Sequence, residues 1–206
     1  MLRVSLLTLA LAGTMLQSYD PPKLQGGSIK AVQLMTTTAG MVLLDLTVSQ
    51  RGLVTNTRVV KDVAPFGDLT KESIASWRFE PGRVNRVATD SRILVIGLYR
   101  PPMLLFPLPQ LPKAPALDED DAVPFPTEVA VPPYPPNRVG GASVLVEIDV
   151  DERGQVVSAT TLGPETGFDD AAASTARAWK FRPAREGGTP VRSRVYMIVS
   201  FREPVG

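Results

Sequence analysis

The chain repeats its own sequence at an offset of 102 residues, and this repeat constrains the fold more than any other feature. Without gaps, 16 of the 61 positions from Met41 to Pro101 are identical to the positions 102 residues later. Both tryptophans of the chain, Trp77 and Trp179, fall on the same place in the repeat. Self-similarity at a fixed offset indicates a duplicated structural unit. We therefore expect two domains of the same fold, in about residues 26–101 and 131–206.

Each unit is predicted to begin with two strands joined by a tight turn. Val144 to Val150 alternate between apolar and polar side chains, which is the period of a half-buried strand. Gly154, like Gly52 in the first unit, supplies the positive φ that a tight hairpin requires. The predicted hairpin strands are 42–48, 53–60, 144–150 and 155–162.

A helix and a third strand complete each unit. Asp169 or Asp170 is suited to cap the second helix, and the alanines that follow favour helix formation. An apolar face recurs at spacings of four, four and three residues in both units. Its members are Phe66, Thr70, Ile74, Trp77, Phe168, Ala172, Ala176 and Trp179. Pro81 and Pro183 end the helical pattern, and the third strands are expected over Arg92–Arg100 and Arg194–Arg202.

A lone helix and a small sheet must cover each other to bury their apolar surfaces. The predicted fold class is therefore α+β: two small β-β-α-β domains, each an antiparallel three-stranded sheet with a helix packed on one face. We expect both tryptophans to be core anchors. The competing interpretation, stacking on a bound sugar or base, fits poorly with their place on an apolar helical face.

Proline is concentrated between the two units. Between Pro101 and Pro136 lie 12 of the 20 prolines, together with the acidic run Asp118–Asp121. Proline neither continues a helix nor donates a hydrogen bond in a sheet. Residues 102–130 are therefore predicted to form an extended proline-rich, acidic linker.

The first 18 residues have the pattern of a secretory signal peptide. Arg3 precedes a run from Val4 to Leu16 that carries no charge. This run is shorter than the roughly 20 apolar residues of a membrane span, and Ala10–Ala12 resembles a small-residue cleavage site. We expect export with removal of the leader, and retention of the leader as a membrane anchor is the alternative.

The composition argues against an enzyme. The chain has no histidine and no cysteine, which excludes Ser–His and Cys–His nucleophilic catalysis and the commonest zinc sites. With 22 basic and 21 acidic residues, it shows no charge excess that would favour nucleic acid. The carboxylate pairs Asp149/Asp151 and Asp169/Asp170 lack a base or metal partner. No catalytic residue, metal site or cofactor is predicted.

Asp149–Gly154 also resembles the start of a calcium-binding loop. An EF-hand requires an oxygen ligand at the position of Arg153 and a glutamate at the position of Thr160. Arginine and threonine cannot fulfil those roles there, so a hairpin is the favoured interpretation.

Four ordered motifs in the second unit resemble the C-terminal domain of the TonB family. They are Arg177–Ala184 (the Trp-Arg-Phe-x-Pro-Ala pattern), Tyr134–Pro136 (the Tyr-Pro entry), Asp149–Val156 (the hairpin) and Gly188–Val191 (the Gly-x-Pro-Val turn). The first unit keeps Arg51–Gly52 and Ser76–Pro81 but lacks the Tyr-Pro entry, so it is interpreted as a diverged copy.

The resemblance implies a periplasmic protein that captures an extended peptide from an envelope or outer-membrane receptor by adding it as a strand. By analogy the binding edge is the last strand, with Arg194, Tyr196, Ile198 and Arg202 as contacts. Family transducers carry an inner-membrane anchor and a long spacer, so a short leader and an internal proline segment depart from that plan. Energy-coupled transport is one purpose of such docking. A passive envelope scaffold without a transport role is the alternative.

Overall fold

The protein contains two α-helices and fifteen β-strands within the residues that the computed structural model describes, namely 18–30, 38–102, 109–114 and 122–204. The helices are α1 (Phe66–Ile74) and α2 (Asp169–Arg177). The strands are β1 (Tyr19–Asp20), β2 (Lys23–Gly26), β3 (Gly40–Val48), β4 (Val54–Lys61), β5 (Arg78–Glu80), β6 (Arg83–Val84), β7 (Val87–Ala88), β8 (Ser91–Tyr99), β9 (Phe125–Glu128), β10 (Ala142–Val150), β11 (Val156–Leu162), β12 (Lys180–Arg182), β13 (Ala184–Glu186), β14 (Thr189–Val191) and β15 (Ser193–Phe201). This mixture of strands and helices confirms the predicted α+β class.

Six of the strands form one continuous sheet, in the order β11-β10-β15-β8-β3-β4. Neighbours are antiparallel except at the centre, where β15 and β8 run parallel, from Val195 beside Leu94 to Ser200 beside Tyr99. The prediction of a separate three-stranded sheet in each unit is therefore wrong. The last strand of each unit would otherwise expose a row of unpaired N–H and C=O groups, and here the two rows satisfy each other.

The two helices lie on opposite faces of this sheet. Phe66 of α1 belongs to the core cluster that contains Tyr196. Phe168 of α2 belongs to the cluster that contains Val195 and Met197. Because successive residues of β15 point to opposite faces, the two clusters lie on the two sides of the sheet. β15 and β8 meet by the same edge, the one that faces away from β10 and β3. Two parallel strands that meet by the same edge are related by a half-turn about an axis along them, and that rotation turns one unit over.

The segments that precede the two units each pair with their own unit and also pack against residues of the other half. β2 pairs with β5, and β9 pairs with β12. Leu24 packs against the cluster that contains Tyr196, whereas Val123 lies in the cluster that contains Leu43 and Leu94. In its described part, the predicted linker therefore contributes a strand and buried side chains, and does not simply extend between two domains.

The predicted apolar face of each helix is confirmed by burial. All eight of its members, from Phe66 to Trp77 and from Phe168 to Trp179, are buried. The indole Nε1 of Trp77 donates to the carbonyl of Ser28 at 3.3 Å, and that of Trp179 donates to the carbonyl of Ala130 at 2.9 Å. Both rings are core anchors whose polar atom is satisfied, which contradicts their exposure to a ligand.

Asp169 does not cap α2 by its side chain, and Phe168 occupies the N-cap position. The Asp169 carboxylate instead accepts hydrogen bonds from the backbone N–H groups of Thr166 and Gly167, at 2.8 and 2.9 Å, and from the Thr166 hydroxyl. Burial opposes the charged form, but these donors outweigh it and hold the pKa of Asp169 below its usual value. The carboxylate therefore fixes the loop before the helix.

Both predicted hairpin glycines adopt positive φ, 74° at Gly52 and 79° at Gly154. The carbonyl of Gly154 accepts a hydrogen bond from the N–H of Phe181 at 2.9 Å. A Cβ placed on Gly154 would lie only 1.7 Å from the carbonyl oxygen of Phe181. The hairpin therefore needs glycine for its backbone angle and also for its close approach to β12.

Gly154→Ala is expected to destabilise the protein by about 2–3 kcal/mol, because it adds a steric clash to an unfavourable backbone angle. Gly140→Ala is the matched control, since Gly140 has φ of 80° but nothing within 4 Å of its added Cβ. The control should lose only about 1 kcal/mol. Urea unfolding measures both, and equal losses would contradict a role for the close approach.

Candidate functional site

The last strand, which was predicted to be a peptide-binding edge, is an interior strand of the sheet. β15 pairs with β10 on one side and with β8 on the other. Its backbone groups are therefore already used, and the prediction of a free edge at Arg194, Tyr196, Ile198 and Arg202 is wrong. The sequence did carry a signal for this position: residues 195–199 are apolar without interruption, which is typical of a strand that is buried on both faces.

Arg194 and Tyr196 form a polar network with the neighbouring strand β10. The guanidinium Nε of Arg194 donates to the Asp149 carboxylate at 2.8 Å. The Tyr196 hydroxyl donates to Glu147 at 2.9 Å and accepts from the N–H of Leu24 at 2.7 Å. Burial, followed by the Glu147 carboxylate, raises the pKa of Tyr196 above its ordinary value. These side chains bind the segment around Leu24 to the sheet and are not open to a partner.

Ile198 and Arg202 are also buried. Ile198 lies in the core cluster of the α1 face. The guanidinium Nε of Arg202 donates to the carbonyl of Arg100 at 2.5 Å, its Nη2 donates to the carbonyl of Thr38, and its Cζ lies 5.9 Å from the centre of the Phe66 ring. The structure therefore assigns all four predicted contact residues to the junction between the two halves.

The outer strands of the sheet are β4 and β11 in the part of the chain that is described. β4 carries Arg58 and Lys61, and its pairing with β3 is interrupted by two register shifts. Charge and irregular pairing are the features that discourage strand addition at an edge. β11 contains no ionisable residue and pairs regularly with β10 from Ser158 to Leu162. Of these two edges, β11 is the one whose sequence permits an added strand.

A cleft of about 570 Å³ opens where β11 ends. One wall is the segment Leu24–Ile29, the floor is Ser143–Leu145 of β10, and Leu162–Pro164 form the opposite side. Thr166 and Asp169 complete the lining. Ligand-binding clefts commonly have volumes of roughly 300–1,000 Å³. The sequence does not predict this cleft, because its walls lie more than 100 residues apart and come together only when the halves share one sheet.

Asp149 and Asp151, which were considered as a calcium loop, have structural partners. Asp149 binds Arg194, and the Asp151 carboxylate accepts the N–H groups of Arg153 and Gln155 at 2.9 and 2.8 Å. The hairpin interpretation is therefore confirmed. No cluster of three or more possible metal ligands occurs among the residues that the structure describes.

The predicted leader covers residues 1–18 and, apart from Ser18, lies outside the described residues. Neither described helix has the length and hydrophobicity that a membrane span requires.

Comparison with known proteins finds a family similarity in the second half of the chain. No curated protein matches the sequence. Residues 137–202, which span β10 to β15, match the family described as Gram-negative bacterial TonB protein C-terminal. Domains of that family act in the periplasm through interactions with outer-membrane receptor proteins and are not enzymes. Over these residues, about a third of the 206, the chain is similar to the TonB C-terminal family.

Proposed function

We propose that this chain is a periplasmic TonB-like protein that docks on an envelope or outer-membrane receptor by binding an extended peptide of that partner. The observation that carries the proposal is the family match over residues 137–202. Because the sequence repeats at an offset of 102 residues, we interpret the first half as a diverged copy of the same domain. We further propose that docking serves energy-coupled transport across the outer membrane.

The physical basis of the proposed docking is strand addition at a sheet edge. An extended peptide can satisfy the outward N–H and C=O groups of an outer strand, and pockets for its side chains give specificity. The uncharged, regular strand β11 supports this mode better than β4 does. The last strand, which the family resemblance had indicated, is replaced by β11 in this proposal because β15 is paired on both sides.

A passive scaffold is the second candidate, and one observation favours it. The last strands of the two halves pair with each other, so the edge used by the family for peptide capture is consumed within the chain. A scaffold would hold other proteins through side-chain surfaces and would have no preference for an extended backbone.

Photo-crosslinking distinguishes the two functions. A benzoylphenylalanine residue at Val157, which is 56% exposed on β11, should crosslink in envelope extract to one short segment of an outer-membrane protein. The same residue at Val87, which is 67% exposed but lies outside the six-stranded sheet, is the matched control and should give no such product. Mass spectrometry of the crosslinked peptides identifies the products formed at both positions. Equal products from both positions, or products scattered over several folded proteins, would support the scaffold instead.

A further inference from the structure

The cleft beside β11 exposes a margin of the sheet that no described strand covers. β10 pairs with β15 along its whole length, from Ala142 to Val150. Its pairing with β11 begins only at Leu145, which lies opposite Leu162. On the β11 side, Ala142, Ser143 and Val144 therefore have no neighbouring strand in the part of the chain that is described. An open row of backbone groups is a template for an extended chain.

In the first half, the equivalent margin of β3 is covered by another segment of the chain. There β3 also extends beyond its last β4 partner, with Leu43 opposite Lys61. Val63 covers the extension: a Cβ placed on Gly40 would lie 2.8 Å from the Cβ of Val63. In the second half the equivalent of Val63 is Glu165, which is exposed to solvent. The chain therefore leaves β11 at Gly163, whose φ is 93°, without covering β10.

The lining of the cleft indicates the chemistry of its occupant. Leu24, Leu145 and Leu162 contribute aliphatic side chains from three separate segments. Asp169 is the one ionisable residue among the described residues that line it, and its Oδ2 already accepts hydrogen bonds from the N–H groups of Thr166 and Gly167 and from the Thr166 hydroxyl. A charged ligand would lose its hydration without gaining a partner. The occupant that fits is uncharged, has backbone groups to pair and carries an aliphatic side chain.

We infer that this cleft binds an extended, uncharged peptide segment that continues the line of β11. The peptide pairs its backbone with Ala142–Val144 and places an aliphatic side chain among Leu24, Leu145 and Leu162. The site is continuous with the existing β10–β11 pairing, so a bound segment extends the sheet rather than starting a new one. This inference rests on the proposed peptide-binding function and adds a second place, beyond the end of β11, where an uncharged segment of the peptide pairs with the sheet.

The test uses the full-length chain labelled with ¹⁵N and a synthetic probe, the acetylated and amidated pentapeptide Thr-Leu-Thr-Leu-Thr. Saturable shifts are expected in the amide signals of Gly26, Ser143, Val144 and Gly163. A probe whose central threonine is replaced by proline lacks one backbone donor and should shift these signals much less. No saturable shift at these amides, or equal shifts with the proline probe, would overturn the inference.

Substitution within the cleft provides a second criterion. Ser143→Phe fills the floor of the cleft and should weaken probe binding by about tenfold or more. Thr55→Phe, on the exposed side of β4 and outside the cleft, is the matched control and should leave the affinity within about twofold. If Ser143→Phe does not fold, as judged by circular dichroism, Ser143→Leu provides a smaller obstruction at the same position. Unchanged affinity in a folded Ser143 variant would overturn the inference.

Failure here and failure of the proposed function are distinguishable because the probe experiment needs no receptor. If a receptor segment crosslinks at Val157 but the probe does not bind the cleft, only the inferred cleft site is refuted. If the probe binds the cleft but no receptor segment crosslinks at Val157, the cleft site is supported and the proposed docking function is refuted.

Discussion

Replacing Trp179 with alanine is expected to lower the free energy of unfolding by about 3–5 kcal/mol, the range for deleting a buried aromatic side chain. The ring is 1% exposed and lies in the core cluster beneath α2. The substitution also leaves the partly buried carbonyl of Ala130 without its indole donor, which adds part of the cost of an unsatisfied acceptor. Because the sheet is continuous, the loss should lower the stability of the whole molecule.

Urea unfolding followed by far-ultraviolet circular dichroism measures this effect without relying on tryptophan fluorescence. Trp179→Phe is the matched control: it keeps an aromatic ring and should lose a smaller part of the stability. Trp77→Ala, the equivalent change in the first half, should resemble Trp179→Ala because Trp77 is equally buried. An unchanged midpoint for Trp179→Ala would show that the ring does not support the core.

Tyr196→Ala is expected to cost a similar 3–5 kcal/mol and to weaken the coupling between the halves. The Tyr196 ring, from the second half, packs edge-on against Trp77 and Phe79 of the first half, with centroids 5.8 and 5.6 Å apart. Its hydroxyl joins Leu24 to Glu147. Removing the side chain therefore opens a cavity and breaks a buried hydrogen-bond network at the junction.

Calorimetry and urea unfolding distinguish this effect from a simple loss of stability. The unmodified chain should unfold in one cooperative transition, whereas Tyr196→Ala should broaden or split the transition. Tyr196→Phe keeps the ring and loses only the hydroxyl contacts, so a loss of about 1–3 kcal/mol with a single transition is expected. Two transitions in the unmodified chain would contradict the coupling that the shared sheet implies.

The proposed docking surface differs from the one that the family resemblance predicts, because the two halves share a sheet. A free TonB-like unit would offer its last strand to a partner, but that strand here lies between β10 and β8. Its backbone is inaccessible unless the central parallel pairing separates. The proposed site is therefore assigned to β11 and to the cleft at its end, where Ala142–Val144 of β10 have no neighbouring strand on that side in the described part of the chain.

Local sequence patterns predict the secondary-structure elements of this protein. The alternation in Val144–Val150, the apolar helix face that ends at Trp179 and the glycines at positions 52 and 154 each predicted the structure that is observed. These features depend on side chains and backbone angles within a few residues of one another. Periodicity and turn chemistry therefore suffice to predict them.

Which strands are neighbours, and where a partner has room to bind, depends on contacts between residues that are distant in the sequence. Every residue except proline carries the same backbone donor and acceptor, so a sequence does not specify the strand with which β15 pairs. The uninterrupted apolar run in β15 indicated burial on both faces but not the identity of the covering segments. The parallel β15–β8 contact brings Leu24–Ile29 across to Leu145 and Leu162, and the cleft exists because of that long-range arrangement.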